Sequence, residues 1–378
     1  MTVRADLIVV GAGLAGAAAA YVAAGRGLNV VVLEAFGPEN RNGSSHGSAR
    51  IFRRAYPDPL YVRLTGQAEK RWRALEAESG QILLTLTGGL DFGHAREPEQ
   101  LYGVLTEQGV TAELLPEGAA AERWPYIDFD GVGPVMFHPD AGVLDPDRAI
   151  AAMLRLATVH GADVRFHTPV EALAAAPDGG AVAATAGETF AAPVVVVAAG
   201  PWIGPLLAGV VELPELTVTQ QQVFHFAPAA GRPPAPWPIF IHFDETGYRY
   251  GLPAGRDGGV RGAVKIGEHD PGRVTTAAGR DFLIDPGARD RVSAFVAARL
   301  PGLDPEPMNE ASCLYTWTAN EDFILDRPGG GPFVVASPCS GHGAKFAPLI
   351  GEILADLAAG APAPEPRFTL AAHRAQKP

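Results

Sequence analysis

Cysteine is scarce. The 378-residue chain holds only Cys313 and Cys339, too few for a disulfide framework and in no zinc-ligand spacing, which points to a reducing compartment and a cytoplasmic location. Positive charge is also in deficit. Thirty Lys and Arg against 42 Asp and Glu leave a formal charge of −12, which opposes the counterion-release attraction used by nucleic-acid binders. Nucleic acid and membrane are therefore set aside as partners. Unbroken apolar runs are few as well. The uncharged stretches 7–25 and 191–211 are long enough to span a bilayer. The first, however, carries Gly11, Gly13 and Gly16 behind the acidic Asp6, and the second is broken by Pro193, Gly200, Pro201, Gly204, Pro205 and Gly209. Both read as strand, turn and helix rather than as a leader or a span. No internal repeat, metal-ligand cluster or Ser-His-Asp arrangement is found. What is present, 47% hydrophobic and 19% charged side chains, suits a large core and two or three domains.

The N-terminus carries the clearest local pattern. Asp6 to Val10 is a short apolar strand, Gly11-Ala12-Gly13-Leu14-Ala15-Gly16 turns the chain into an alanine-rich helix ending near Arg26-Gly27, and Asn29 to Leu33 is a second strand ending at Glu34. This is a complete βαβ unit with a dinucleotide fingerprint. The glycines permit a tight turn, close approach of backbone N–H groups to a pyrophosphate, and close helix packing. Glu34 stands where a carboxylate accepts hydrogen bonds from ribose hydroxyls and repels a 2′-phosphate, so FAD or NAD fits better than NADP.

Farther along, Tyr61 to Ser79 has helical periodicity. Asp145-Pro146 opens another helix that runs to His160-Gly161. Strands are expected at Val164 to Phe166, Val170 to Leu173, Val182 to Thr185 and Val194 to Ala199, the last turning at Gly200. The segments 83–143 and 216–311 alternate apolar and polar residues and suggest an antiparallel sheet, with the proline-rich run 227–238 as a surface loop. Lys345 to Ala359 reads as a helix.

Four further stretches carry chemistry-bearing side chains: Gly43-Ser44-Ser45-His46-Gly47-Ser48-Ala49-Arg50-Ile51-Phe52-Arg53, Lys265-Ile266-Gly267-Glu268-His269, Cys313-Leu314-Tyr315-Thr316 and Ser340-Gly341-His342-Gly343-Ala344-Lys345-Phe346. Together, and in this order, they resemble the monomeric sarcosine oxidase and N-methyltryptophan oxidase family of amine-oxidising flavoenzymes, over nearly the whole chain.

The resemblance implies an α/β plus α+β fold. A glutathione-reductase-type Rossmann domain for FAD would be assembled from 1–84, 147–214 and 320–378, and a second, antiparallel-sheet substrate domain from 85–146 and 215–319. It implies FAD bonded through its 8α-methyl to Cys313, with Cys339 left as a core thiol. The cofactor site would comprise Gly11, Gly13, Leu14, Ala15, Gly16, Glu34, Ser45, His46, Arg50, Val170, Gly200, Trp202, Cys313, Gly341, Gly343 and Lys345. Lys265 would sit near flavin N5 and promote reaction with O₂, since a preorganised cation stabilises developing superoxide-like charge. Arg53 and Lys345 would hold the substrate carboxylate and orient the amine. His46, Arg50 and His269 would lie close to the reacting atoms, with Tyr250 and Tyr315 lining the substrate cavity. Arg50 and Arg53 would share a face if their stretch were helical. No metal is implied, and the family name suggests a monomer.

The activity implied is oxidation of a secondary amino acid, sarcosine first, by O₂ and water to glycine, formaldehyde and H₂O₂. Other N-methyl or cyclic secondary amino acids satisfy the same cations, and a non-catalytic flavin-binding subunit is the alternative of a different class. Trp317 and the proline-rich run depart from the family pattern and leave the substrate side chain open.

Overall fold

The computed structural model describes residues 2–232, 234–269 and 272–375. Its organising layer is a six-stranded sheet in the order Asp163–Arg165, Val30–Leu33, Leu7–Val10, Val194–Val197, Phe333–Ser337, Ile324–Asp326. The first five strands are parallel and the sixth antiparallel. Runs such as Val194–Val197 are buried on both faces, which is why they read as continuous β-branched sequence rather than alternation. Helix Leu14–Gly25 covers one face beside helix Ala347–Ala358. The two cross closely because Gly351 has no side chain. A Cβ there would lie 2.5 Å from the Ala18 carbonyl carbon.

Helix Pro59–Ser79 is capped by the Asp58 carboxylate, which accepts from the Leu60 N–H, and helix Pro146–Val159 by Asp145, which accepts from the Arg148 N–H. The second start was legible as an Asp-Pro signal, whereas the first helix, expected from Tyr61, begins at Pro59. A four-stranded sheet of Thr2–Arg4, Thr189–Ala192, Ala181–Ala184 and Ala172–Ala175 packs its apolar side chains, with those of the parallel layer's second face, into a separate cluster.

The second large layer has nine strands. Long strands Thr217–Pro228 and Leu303–Trp317 pair with each other, and the sheet continues through Val264–Glu268, Gly247–Pro253 and Ile239–Asp244 to Gly89–Phe92, Val135–His138 and Glu113–Leu115. The antiparallel expectation needs one correction. Ile239–Asp244 joins Gly89–Phe92 in parallel, because the two segments come from distant parts of the chain rather than from a hairpin. One face of this sheet sends Phe224, Phe226, Phe240, Val264 and Ile266 into a core closed by helix Pro286–Arg299. The alternate residues point the other way, toward the carboxyl ends of the parallel strands.

Two further expectations shift. The strand expected at 170–173 begins at Ala172, leaving Val170 in the preceding connection. Lys345 lies in a 3₁₀ turn, Gly343–Phe346, before the helix begins at Ala347. Among the described residues no helix is long and apolar enough to cross a membrane.

Candidate active site

A cavity of about 1720 Å³ lies between the two large sheets, well above the roughly 300–1,000 Å³ typical of a drug-sized ligand. The residues that follow four parallel strands, Gly11, Glu34, Ala198 and Pro338, all line it, the place where open α/β sheets bind ligands.

At one end stands the glycine turn. Gly11 has φ +95, and a Cβ there would lie 2.6 Å from the Ala198 carbonyl oxygen. Any side chain would therefore both strain the turn and collide. Gly13, Leu14 and Ala15 line the cavity, whereas Gly16 does not. Its role is packing, since a Cβ on Gly16 would land on the Gly11 carbonyl oxygen. Glu34 is buried, and its carboxylate accepts from the Ala12 N–H at 2.7 Å and the Phe36 N–H at 3.0 Å. It is thus held at the mouth of the turn with lone pairs to spare. Ser45 Oγ accepts from the Leu14 N–H at 3.2 Å. Val170, Gly200 and Trp202 complete the wall here.

The middle of the cavity is roofed by the nine-stranded sheet. Its cavity-lining residues alternate: Val223 and His225; Ile241 and Phe243; Tyr248, Tyr250 and Leu252; Ala311, Cys313 and Tyr315. Lys265 belongs to this set, opposite His225 and Leu252 in register, while its neighbours Val264 and Ile266 face the core. Its ammonium donates to the Ala49 carbonyl at 3.3 Å. Burial and then the nearby Arg50 push its pKa down from 10.5 to about 8, against the pull of Asp257. Arg50 donates to the carbonyls of Ala49 and Ser44. His46 is held neutral, its pKa lowered to about 3 by burial and by Arg50 and Lys265, and its buried Nε2 has no hydrogen-bond partner among the described residues.

These charges converge on Gly47. A Cβ there would meet Asp257 Oδ2 at 3.1 Å, Arg50 Nη1 at 3.5 Å and Lys265 Nζ at 3.8 Å. The shared helical face expected for Arg50 and Arg53 is not formed. Arg50–Phe52 is a strand paired with Gly142–Leu144, so both arginines reach the cavity by other means. Cys339, expected in the core, is half-buried and lines the cavity along with Cys313. Its sulfur accepts from the Thr316 N–H at 3.4 Å, and burial raises its thiol pKa.

At the far end, Arg53 and Lys345 are 9% and 4% exposed. Arg53 donates to the Ala55 carbonyl and lies over the Tyr56 ring at 4.4 Å. Lys345 donates to Tyr56 Oη at 2.9 Å and to the His342 carbonyl at 2.8 Å. Among the described residues neither forms an ion pair with a carboxylate. Burial and then Arg53 press the Lys345 pKa well down. Two buried cations without a counter-ion are an anion site in waiting.

His269 stands beside them. It is kept neutral, with a pKa lowered to about 4 by burial and by Arg53 and Lys345. Its ring lies 4.9 Å from that of Tyr248, 6.2 Å from Tyr315 and 5.4 Å from Trp317. Tyr250 and Tyr315 are hydrogen-bonded to each other, and burial raises both phenols, Tyr250 to about 12. Trp317 stands behind this wall, donating to Thr219 Oγ1 at 2.7 Å, and is not part of the cavity lining. Gly341 has φ +72, and a Cβ there would lie 2.8 Å from the His269 ring. Gly343 also lines the cavity.

Several lining residues carried no signal in the sequence. Tyr56, Arg96, Tyr248 and Asp257 reach the cavity only through non-local packing. Among the described residues no group of three or more His, Cys, Asp or Glu is placed to hold a metal ion.

The geometry suits a dinucleotide: a glycine turn, a buried carboxylate at its mouth, and a large cavity beyond. A model of the family "FAD dependent oxidoreductase" matches residues 6–357. The chain belongs to that family. It is 33% identical over 368 residues, 95% of this chain and 93% of the relative, to monomeric sarcosine oxidase from Bacillus sp. strain B-0618. It is 32% identical to N-methyl-L-tryptophan oxidase from Yersinia pestis (strain Pestoides F), covering 95% of this chain and 96% of that one. The open form of NikD, described as an unusual amino acid oxidase essential for nikkomycin biosynthesis, superposes with a TM-score of 0.86 at 27% identity over 97% of each chain. FAD is the cofactor that family membership implies, and the residues on the glycine-turn side of the cavity fit it.

Proposed function

We propose that this FAD-dependent oxidoreductase is an oxidase of secondary amino acids. For sarcosine, the smallest, the balanced reaction is sarcosine + O₂ + H₂O → glycine + formaldehyde + H₂O₂. The observation that carries the reading is the pair Arg53 and Lys345, buried at the end of the cavity opposite the glycine turn and, among the described residues, ion-paired with no carboxylate. When bound, FAD supplies a two-electron acceptor for the carbon adjacent to nitrogen.

This chain's residues do the rest. Arg53 and Lys345 take the substrate carboxylate in charge-assisted hydrogen bonds, fixing the amine against the middle of the cavity. Neutral His269 and the aromatic wall of Tyr248, Tyr250 and Tyr315 exclude water and leave the amine uncharged and reactive. Lys265, dry and fixed by Ala49, supplies the positive charge that favours electron transfer to O₂. Glu34, Ser45 and the turn 11–15 would hold the dinucleotide, and His46 and Arg50 would lie beside the flavin. Cys313 is the proposed point of covalent attachment, on the roof of the cavity between Ala311 and Tyr315. The relatives named for sarcosine and N-methyltryptophan support the chemistry and leave the side chain open. The two domains follow the two large sheets, with the boundaries given above as the proposed partition. A cytoplasmic monomer is proposed with them.

A peroxide assay over sarcosine, larger N-methyl amino acids, proline and glycine tests the reading. Peroxide formation with a secondary amino acid is expected. Peroxide from glycine alone, or turnover that requires an acceptor other than O₂, would reject it.

A further inference from the structure

The far end of the cavity holds a third cation that the reading above does not use. Arg96 closes the 3₁₀ turn His94–Arg96, which is bent back by positive φ at Gly93 (+95) and at the non-glycine Glu97 (+53). The turn lies against strand Ile239–Asp244, so close that a Cβ on Gly93 would sit 2.5 Å from the Phe243 carbonyl oxygen. Strain of this kind persists where the surroundings over-determine it, commonly at ligand sites. Here it delivers the Arg96 side chain, 9% exposed, into the cavity wall.

Arg96 is aimed, not loose. Its Nε donates to Asp91 Oδ1 at 2.6 Å, and Asp91 is fully buried. Its Nη2 donates to the Ala55 carbonyl at 3.2 Å. That oxygen also accepts from Arg53 Nη1, so two guanidinium groups converge on one atom. Among the described residues Arg96 Nη1 has no acceptor, and it is not shut away from the cavity. An arginine kept only to tie the turn would need Asp91 and Ala55 alone.

Arg53, Lys345 and Arg96 face this end, with Asp91 paired to Arg96. The other carboxylates in the lining are engaged elsewhere or on the water side: Asp58 and Asp322 pair with Arg367, and Glu321 is exposed.

We propose that Arg96 receives a second carboxylate of the substrate, so that the preferred amine is a dicarboxylic secondary amino acid rather than sarcosine. This deepens the secondary-amine reading and rests on it. A guanidinium whose orientation is fixed by a buried carboxylate, with Nη1 left to donate, offers a charge-assisted contact suited to such a group.

Two measurements on the holoenzyme test it. In the first, kcat/KM is compared for N-methylaspartate, N-methylglutamate and iminodiacetate against sarcosine and N-methylalanine. At least one dicarboxylate is expected to lead by about ten-fold or more. Arg96→Met is expected to lower the dicarboxylate values about ten-fold more than the sarcosine value, with Arg96→Lys intermediate. In the second, calorimetry reads binding of glutarate and butyrate, which carry no amine. Glutarate is expected to bind more tightly, and the difference to vanish in Arg96→Met; if that variant fails to fold, Arg96→Lys carries the comparison. Equal kcat/KM for mono- and dicarboxylates with equal binding of the two acids would overturn the proposal. So would an Arg96 variant that weakens both classes in equal proportion. If no secondary amine is oxidised but glutarate still binds through Arg96, the oxidase reading fails while the second-carboxylate site stands.

Discussion

In the proposed mechanism Lys265 is the residue on which reaction with oxygen turns. It is dry, anchored on the Ala49 carbonyl, and its pKa falls to about 8 through burial and then Arg50. Below that pH it is protonated and presents its charge. Above it the amine is neutral, so oxygen consumption should fall as pH rises through about 8. Replacing Lys265 with Met should slow the oxygen step by about 100-fold while anaerobic bleaching by substrate continues. Stopped-flow mixing with oxygen reads the two apart, and equal slowing of both would refute the assignment. For Arg53→Ala, loss of one charge-assisted contact should raise the apparent Km for carboxylate substrates about 10- to 100-fold, measured by initial rates. The two cavity thiols separate in the same way. Acid-precipitated protein should stay yellow in the Cys339→Ala variant and lose its colour in Cys313→Ala.

At the scale of elements, the glycine turn has the least tolerance. A Cβ on Gly16 would land on the Gly11 carbonyl oxygen, with the Gly11 carbonyl carbon 2.9 Å away. Gly16→Ala should therefore yield folded protein with little bound FAD, or none, by absorbance of the purified protein. This βαβ unit was legible because its signals are local: apolar strand, glycines, alanine helix, acidic residue. Lys265 was picked out by the resemblance, and alternation between Val264 and Ile266 supported it by marking a strand whose other face goes elsewhere. The parallel pairing of Ile239–Asp244 with Gly89–Phe92 was not, because nothing local specifies a partner some 150 residues away. Arg96 was hidden for the same reason: its meaning comes from Asp91, Ala55 and the strand behind Gly93. The spacing of Arg50 and Arg53 would place them on one face only in a helix, and Arg50–Phe52 instead forms a strand, because Gly142–Leu144 offers it hydrogen bonds.

The whole molecule buries neutral histidines. His138, His225 and His242 are at most 1% exposed, and burial lowers each pKa from 6.5 to about 4. Above pH 6.5 these rings are neutral folded or unfolded. Between 6.5 and 4 the unfolded chain takes up protons that the folded one refuses, so their contribution to stability is lost as pH falls through that window. Unfolding near pH 5 should bind up to about three protons through these sites, visible as a fall in Tm over this range. A flat Tm would show that the rings are not buried neutral.

The cavity joins a dinucleotide end, a lysine in its middle and a cation cluster at its far end, and the account stands on their acting together. The direct test is the absorbance spectrum of the purified protein under nitrogen as sarcosine and then dicarboxylic N-substituted amino acids are added, followed by air. Bound-flavin absorbance that bleaches with a secondary amino acid and returns with release of H₂O₂ is expected. A colourless protein, or a yellow one whose spectrum no amine changes, would contradict the account.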